Sequence, residues 1–217
     1  MLSESLDRLA LLHPKLIDLG LERTYQLLEK AGSPHQNLPP IFHIAGTNGK
    51  GSVCAYLFAI AKQLGLVTHC YTSPHLCRFN ERIRIANKLI DDEALLQVLD
   101  EVEKLNQNRP ITFYEITTVA AFMAFARIPA DLLILETGLG GRLDSTNVIE
   151  NPLASIITPI ARDHEHFLGS ELTQIAGEKA GIIKKNVPVI SASQSKEVEE
   201  TLIKKAREMA APIFFEG

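Results

Sequence analysis

The chain has 217 residues, of which 22% are charged and 46% hydrophobic, with a net charge of −4 at pH 7. This is enough for one large domain or two small ones with an ordinary core, and it is too apolar for a disordered chain. Lysines and arginines are scattered along an acidic chain, which excludes a nucleic-acid or membrane-surface footprint and leaves small molecules as the expected partners.

The N-terminal MLSESLDRLALLHPK carries acids and has no apolar core of a leader peptide, and no apolar run approaches the roughly 18 residues that span a bilayer. Cys54, Cys70 and Cys77 fit neither a disulfide framework nor a zinc site, and suit a cytoplasmic, reducing compartment as buried or unreactive thiols.

The first clear element is the apolar run Ile41-Phe42-His43-Ile44, which reads as a strand. It enters HIAGTNGKGS, and VCAYLFAIAKQLG then has the length and spacing of a helix. Gly46, Gly49 and Gly51 allow positive φ and close backbone approach, and the following helix points its N-terminal dipole at the same spot. Lys50 adds a point charge, and Ser52 places a hydroxyl at the helix start, where it can cap the helix or ligate Mg²⁺. The alternative is a tight strand-to-helix turn with a surface lysine. The common pattern G-x-x-x-x-G-K-[ST] is a near miss, because Ile44 stands at its first glycine and Gly51 at its hydroxyl position.

Further along come a strand in LVTHCYTSP, a helix in DDEALLQVLDEVEKLNQ opened by Asp91, and the long apolar ITTVAAFMAFARI. Strands DLLILE, ASIITPI, VPVIS and PIFFE follow, with helices in ELTQIAGEKAGIIKK and SKEVEETLIKKAREMA between the later ones. Alternating β and α with near-continuous apolar strands predicts an α/β fold: a mostly parallel, Rossmann-like P-loop sheet with helices on both faces. Ligands bind at the carboxyl ends of such strands, which directs attention to four loops.

Glu136 ends DLLIL, where a buried charge needs a partner or a metal. Its alternatives are an Mg²⁺ ligand, a loop cap, or an ion pair with Arg142 in the following TGLGGRLDSTN. Asp163, His164, Glu165 and His166 crowd one loop after ASIIT, and read as a metal or nucleotide contact or as a solvated loop. In TSPHLCRFNERIRI, Ser73 precedes a proline in extended or turn geometry. Arg78, Arg82 and Arg84 can meet anions or form a solvent-facing strand edge, and His75 is a weak signal. By default Lys179, in GEKAGIIKK, reads as a surface lysine paired with a glutamate.

Taken together, HIAGTNGKGS, TSPHLCRFNERIRI, LETGLGGRLDSTN and DHEHFLGSELTQIAGEKAGIIK, in this order, resemble the folylpolyglutamate synthase and dihydrofolate synthase family of the Mur ligase superfamily. The likeness runs from about Asp18 to the end of the chain, and it covers the near miss, since that family's loop is GTNGKG[ST]. It implies a Mur ligase central-domain fold and an ATP-dependent ligase that adds L-glutamate to dihydropteroate and to tetrahydrofolate through an acyl phosphate. Gly46, Thr47, Asn48, Gly49, Lys50, Gly51 and Ser52 match the loop that holds the ATP phosphates. Ser73, Glu136 and His164 match residues that hold two Mg²⁺ ions, and Lys179 matches a lysine carbamylated in the family; Lys50, Lys179 and His164 are the expected catalytic residues. Asp18, Leu19, Gly20 and Leu21, with Thr112, Phe113, Tyr114 and Glu115, match segments that contact the pterin in bifunctional members, where an aromatic can stack on the flat ring. Arg82 joins them as an expected substrate-binding residue.

Family members are roughly twice this length. The resemblance therefore implies that residues 1–217 are one ATP-binding N-terminal domain, monomeric and cytoplasmic, without the part that supplies adenine, ribose and glutamate contacts. Two other readings are a P-loop kinase or GTPase, which Ile44 and Gly51 contradict, and a nucleotide- or pterin-binding fragment without turnover.

Overall fold

The computed structural model describes residues 2–15 and 17–216. Two helices precede the first strand, α1 (Leu2–Ala10) and α2 (Glu22–Lys30). Neither is predicted above, because nine residues fall short of the window over which helical periodicity is counted. Leu9, Leu27 and Leu28 bury them against the largest core cluster. The predicted order then follows, interrupted by a hairpin that is not predicted above: β1 (Ile41–Ala45), α3 (Lys50–Gln63), β2 (Thr68–Tyr71), the hairpin of β3 (Ile83–Ile85) and β4 (Lys88–Leu89), and α4 (Asp92–Asn106). Next come α5 (Phe113–Ala126), β5 (Leu132–Glu136), β6 (Ala154–Ile157), α6 (Glu165–Leu168), α7 (Leu172–Lys179), β7 (Val189–Ser191), α8 (Lys196–Glu208) and β8 (Ile213–Phe215).

Helix starts follow local chemistry. Asp91 caps α4, its carboxylate accepting from the Ala94 N–H at 2.8 Å. Thr112 and Glu115 form a capping box that opens α5 three residues before the predicted apolar run. All of α5 from Glu115 to Phe125 is buried, which is why that stretch shows no amphipathic stripe.

The strands form one sheet in the order β4-β3-β2-β5-β1-β6-β7-β8. From β2 to β8 every pairing is parallel, and β3 and β4 add an antiparallel edge. Helices α1, α2, α4 and α5 pack with the largest cluster, α7 and α8 with a second, and α3 with a third. Coverage of both faces is incomplete. Ile44, Ile156, Ile190 and Phe214 share one register row, yet their exposure rises from 0% and 9% to 48% and 60% beyond the cover of α3. Among the described residues no helix is long and apolar enough to cross a membrane. The carboxyl ends of β1, β2, β5 and β6 lie side by side, so the four loops singled out above open on one edge.

Candidate active site

The loop from β1 to α3 is fastened to the loop after β6. The N–H groups of Thr47 and Asn48 donate to the Pro159 carbonyl at 3.0 and 3.2 Å, and the Thr47 hydroxyl donates to the Ala161 carbonyl at 3.0 Å. Gly46 has φ 151°, and a Cβ there would fall 1.8 Å from the Thr158 hydroxyl, so only glycine fits. Gly49, at φ 84°, is the N-cap of α3. The first inward bond of that helix is Val53 N–H to Gly49 O at 2.9 Å, which leaves the N–H groups of its first turn free for an anion. Ser52 lies inside that turn and does not cap it, because the helix begins at Lys50. Lys50 Nζ folds back over the loop, 3.2 Å from Gly46 O and 3.3 Å from Thr47 O.

Glu136 is 3% exposed at the carboxyl end of β5. Its carboxylate accepts one hydrogen bond, from the Ser73 N–H at 3.1 Å, and among the described residues it has no ion pair. Arg142 instead pairs with Glu178 at 2.8 Å. Burial raises the Glu136 carboxyl to about 7, against the opposing pull of the Ser73 N–H and the Lys50 charge. A buried acid with one donor and spare lone pairs is the donor chemistry a hard divalent cation takes.

Lys179 departs from its default reading. It is 4% exposed, and its Nζ donates to Gly46 O at 2.8 Å. Burial, helped by the nearby Lys50 charge, lowers it to about 8, so an appreciable neutral fraction is present near physiological pH. The surface pairing belongs to its neighbour Glu178.

Beside these groups lies a pocket of about 360 Å³. Of the nine residues expected to bind substrate, Asp18, Leu19, Gly20, Arg82, Thr112, Phe113, Tyr114 and Glu115 line it, joined by Ser73 and His164. Leu21 does not, because it precedes α2 and packs into the largest core cluster. Arg82 donates from Nε to His75 Nδ1 at 2.9 Å and lies over Phe79, 5.1 Å from the ring centroid. Among the described residues it has no ion pair, which leaves its outer nitrogens for a ligand.

His164 has a half-exposed ring, 3.6 Å from Asp163, and φ 50° at the start of α6. Among the described residues no three His, Cys, Asp or Glu side chains gather as a metal site. Ser73 and Glu136 are directly linked, whereas Asp163 stays in an exposed loop, and Glu165 and His166, expected in that loop, instead open the short helix α6 with exposed side chains.

Two residues central to this geometry were missed. Arg23 bridges both walls of the pocket, contacting Asp18 through Nη1 at 2.9 Å and Glu115 through Nε at 3.0 Å; a partner 92 residues away leaves no local signal. Asp144 is buried and accepts from the N–H groups of Gly138, Leu139 and Thr146 and from the Thr146 hydroxyl. It thereby shapes the glycine-rich loop after Glu136.

A mostly parallel sheet flanked by helices, with this glycine-rich strand-to-helix loop and an adjoining pocket at its edge, is an α/β fold of the Mur ligase type. No family model matches the chain. It is 43% identical over 200 residues to the Bacillus subtilis dihydrofolate synthase/folylpolyglutamate synthase, covering 89% of this chain and 46% of that protein. To the Escherichia coli protein of the same name it is 38% identical over 200 residues, 92% of this chain and 46% of the other. The solved structure of E. coli FolC in complex with DHPP and ADP superposes with a TM-score of 0.93 at 36% identity, over 100% of this chain and 51% of that one. Mycobacterium tuberculosis folylpolyglutamate synthase complexed with ADP and AMPPCP gives 0.87 at 35%, over 99% and 50%. The chain thus belongs to the folylpolyglutamate synthase and dihydrofolate synthase family, and it spans about half the length of the curated relatives it matches.

Proposed function

We propose that this chain carries the phosphate and pterin side of an ATP-dependent amide ligase, one that adds L-glutamate to dihydropteroate and to tetrahydrofolate. What carries the reading is the Ser73–Glu136 hydrogen bond at 3.1 Å. It joins a residue of the aromatic pocket to an acid paired in register with Ile44, just before the phosphate loop.

In this reading Phe113 and Tyr114 hold the flat ring, and Arg82 meets the anionic end of the substrate. Free N–H groups of α3 and Lys50 hold the ATP phosphates, so that the pteroate carboxylate lies in line with the γ-phosphate. Its attack breaks the bond between the γ-phosphorus and the bridging oxygen, releasing ADP and giving an acyl phosphate, and the amine of glutamate then displaces phosphate and loses a proton to form the amide. Phosphoryl transfer between anions depends on positioning and charge neutralisation, and the site needs no side-chain nucleophile. Glu136, Ser73 and His164 are the residues that would hold Mg²⁺, which when bound neutralises phosphate charge. Glu136 supports this assignment most, as a buried acid with no cationic partner among the described residues.

We infer that Lys179 is carbamylated: its neutral amine adds CO₂ and loses a proton to give a carbamate, replacing a cation beside Lys50 with an anion. Attachment of glutamate is assigned to the half of the relatives that this chain does not span. We place the protein in the cytoplasm as a monomer, with residues 1–217 forming one domain, its ATP-binding N-terminal domain. Equilibrium titration of dihydropteroate into the chain with Mg²⁺ and a non-hydrolysable ATP analogue tests the reading. One-to-one binding of both is expected, and failure of dihydropteroate to bind would refute it.

A further inference from the structure

The segment 72–82, between β2 and β3, brings Ser73 and Arg82 to the pocket. Its base is closed where the Thr72 N–H donates to the Arg82 carbonyl at 3.0 Å. Its tip is closed by the Glu81 carboxylate, which accepts from the N–H groups of Leu76, Cys77 and Arg78 at 2.7, 3.0 and 2.7 Å. A carboxylate that gathers three successive N–H groups fixes the turn they belong to. His75 immediately precedes that turn and meets Arg82 across the loop.

The contact between these two side chains is specific. Arg82 Nε–H donates to His75 Nδ1 at 2.9 Å. A guanidinium has donors and no acceptor, so Nδ1 is the lone-pair nitrogen and the ring hydrogen sits on Nε2. The guanidinium carbon lies over the Phe79 ring, 5.1 Å from its centroid, and the His75 ring meets the same ring edge-on, 5.8 Å away with planes at 62°. Phe79 is buried and stands edge-on to Phe113 of the pocket wall, with centroids 5.7 Å apart. Arg82 and His75 thus share one aromatic platform that the pocket wall supports. His75 itself is not among the residues lining the pocket, so any effect it has on a ligand passes through Arg82.

We propose that His75 is the positioning residue of Arg82: by accepting at Nδ1 it fixes the guanidinium with Nε engaged and the two outer nitrogens left for bidentate pairing with an anion. A free arginine loses much rotamer freedom when it grips a ligand, and one already held loses less. The inference rests on the assignment of Arg82 to the anionic end of the substrate made above, and it adds the residue that aims it.

Three substitutions test it. His75→Ala removes the acceptor, whereas His75→Asn returns one, because asparagine Oδ1 stands where Nδ1 stands on the imidazole. Arg82→Lys keeps the charge but puts a carbon where Nε was, so it has no bond to His75 to lose. Dihydropteroate is titrated into the whole chain with Mg²⁺ and a non-hydrolysable ATP analogue, and the affinity of the analogue is measured alongside. His75→Ala should lower dihydropteroate affinity about three- to tenfold, the cost of immobilising one long side chain on binding. It should leave the analogue affinity unchanged and cost nothing further in the Arg82→Lys background, and His75→Asn should recover most of the loss. A residue that only supports the loop would lower both affinities, whichever residue stands at position 82. Four results each overturn the proposal and leave the pocket assignment intact: equal dihydropteroate affinity in His75→Ala, an asparagine variant as weak as the alanine one, the same loss in the Arg82→Lys background, or an equal fall in analogue affinity. If the unaltered chain does not bind dihydropteroate, the pocket assignment fails and this inference with it.

Discussion

Lys179 Nζ donates to the carbonyl oxygen of Gly46 at 2.8 Å, tying the end of α7 to the first residue of the phosphate loop across 133 positions of sequence. The bond is buried and holds a backbone whose φ of 151° at Gly46 suits glycine. Replacing Lys179 by alanine should loosen the loop and weaken nucleotide binding about tenfold or more, the range of a hydrogen bond to a charged group. Isothermal titration with ATP analogues measures this. An unchanged affinity would separate Lys179 from the loop.

The two other groups nearest the phosphates act differently. Lys50→Ala removes the only lysine in the loop and should abolish ATP consumption. Glu136→Gln keeps size and hydrogen bonding but removes the charge, so the variant should need more Mg²⁺ for half-maximal rate. Both are tested in a full-length family background, and wild-type turnover in either variant would remove that residue from its assigned role.

Arg23 is a pocket residue of another kind, since it touches both walls and fixes their spacing. Arg23→Ala leaves the Glu115 carboxylate, 3% exposed, without its cation. The expected cost is about 3 kcal/mol of stability, read by urea unfolding, together with weaker dihydropteroate binding. Glu115 would keep its bond to the Thr112 N–H at 2.8 Å, so α5 itself should remain.

His43 sets the acid limit of the fold. Thr146 Oγ1 donates to Asp144 at 2.5 Å, so it accepts from His43 Nε2–H at 2.9 Å, and the imidazole is neutral. Burial lowers it from the ordinary 6.5 to about 3. In the unfolded chain the ring takes its proton below 6.5, whereas the folded chain resists until about 3; stability is therefore full above 6.5 and is lost as pH falls through that window. The loss is on the order of 5 kcal/mol at most. Unfolding curves at pH 7 and pH 4 should show a shallower decline for His43→Gln. An identical slope would assign the acid sensitivity elsewhere.

How far all this was legible depended on sequence distance. The phosphate loop could be read because a strand, three glycines, a lysine and a helix lie within a few residues, and the strand-end rule then pointed to Ser73 and Glu136. The wall residues from Asp18 to Gly20 and from Thr112 to Glu115 came from the family likeness; periodicity said nothing of them. Burial of Lys179 was invisible, because its partner is a backbone carbonyl of another loop. Arg23 gave no local signal because its partner Glu115 lies 92 residues away, and Leu21 was misplaced because its contact is with the core. The capping box Thr112-x-x-Glu115 was in plain view, but the all-apolar helix behind it offered no stripe by which to locate its start.

The central claim is that the phosphate loop and the aromatic pocket form one reaction site, and hydroxylamine trapping tests it most directly. The chain is incubated with Mg-ATP, dihydropteroate and hydroxylamine, without glutamate, after titration has established that both ligands bind. The account predicts a hydroxamate of dihydropteroate formed with an equal amount of ADP, and its loss in Lys50→Ala. With both ligands bound, no hydroxamate and no ADP would contradict it.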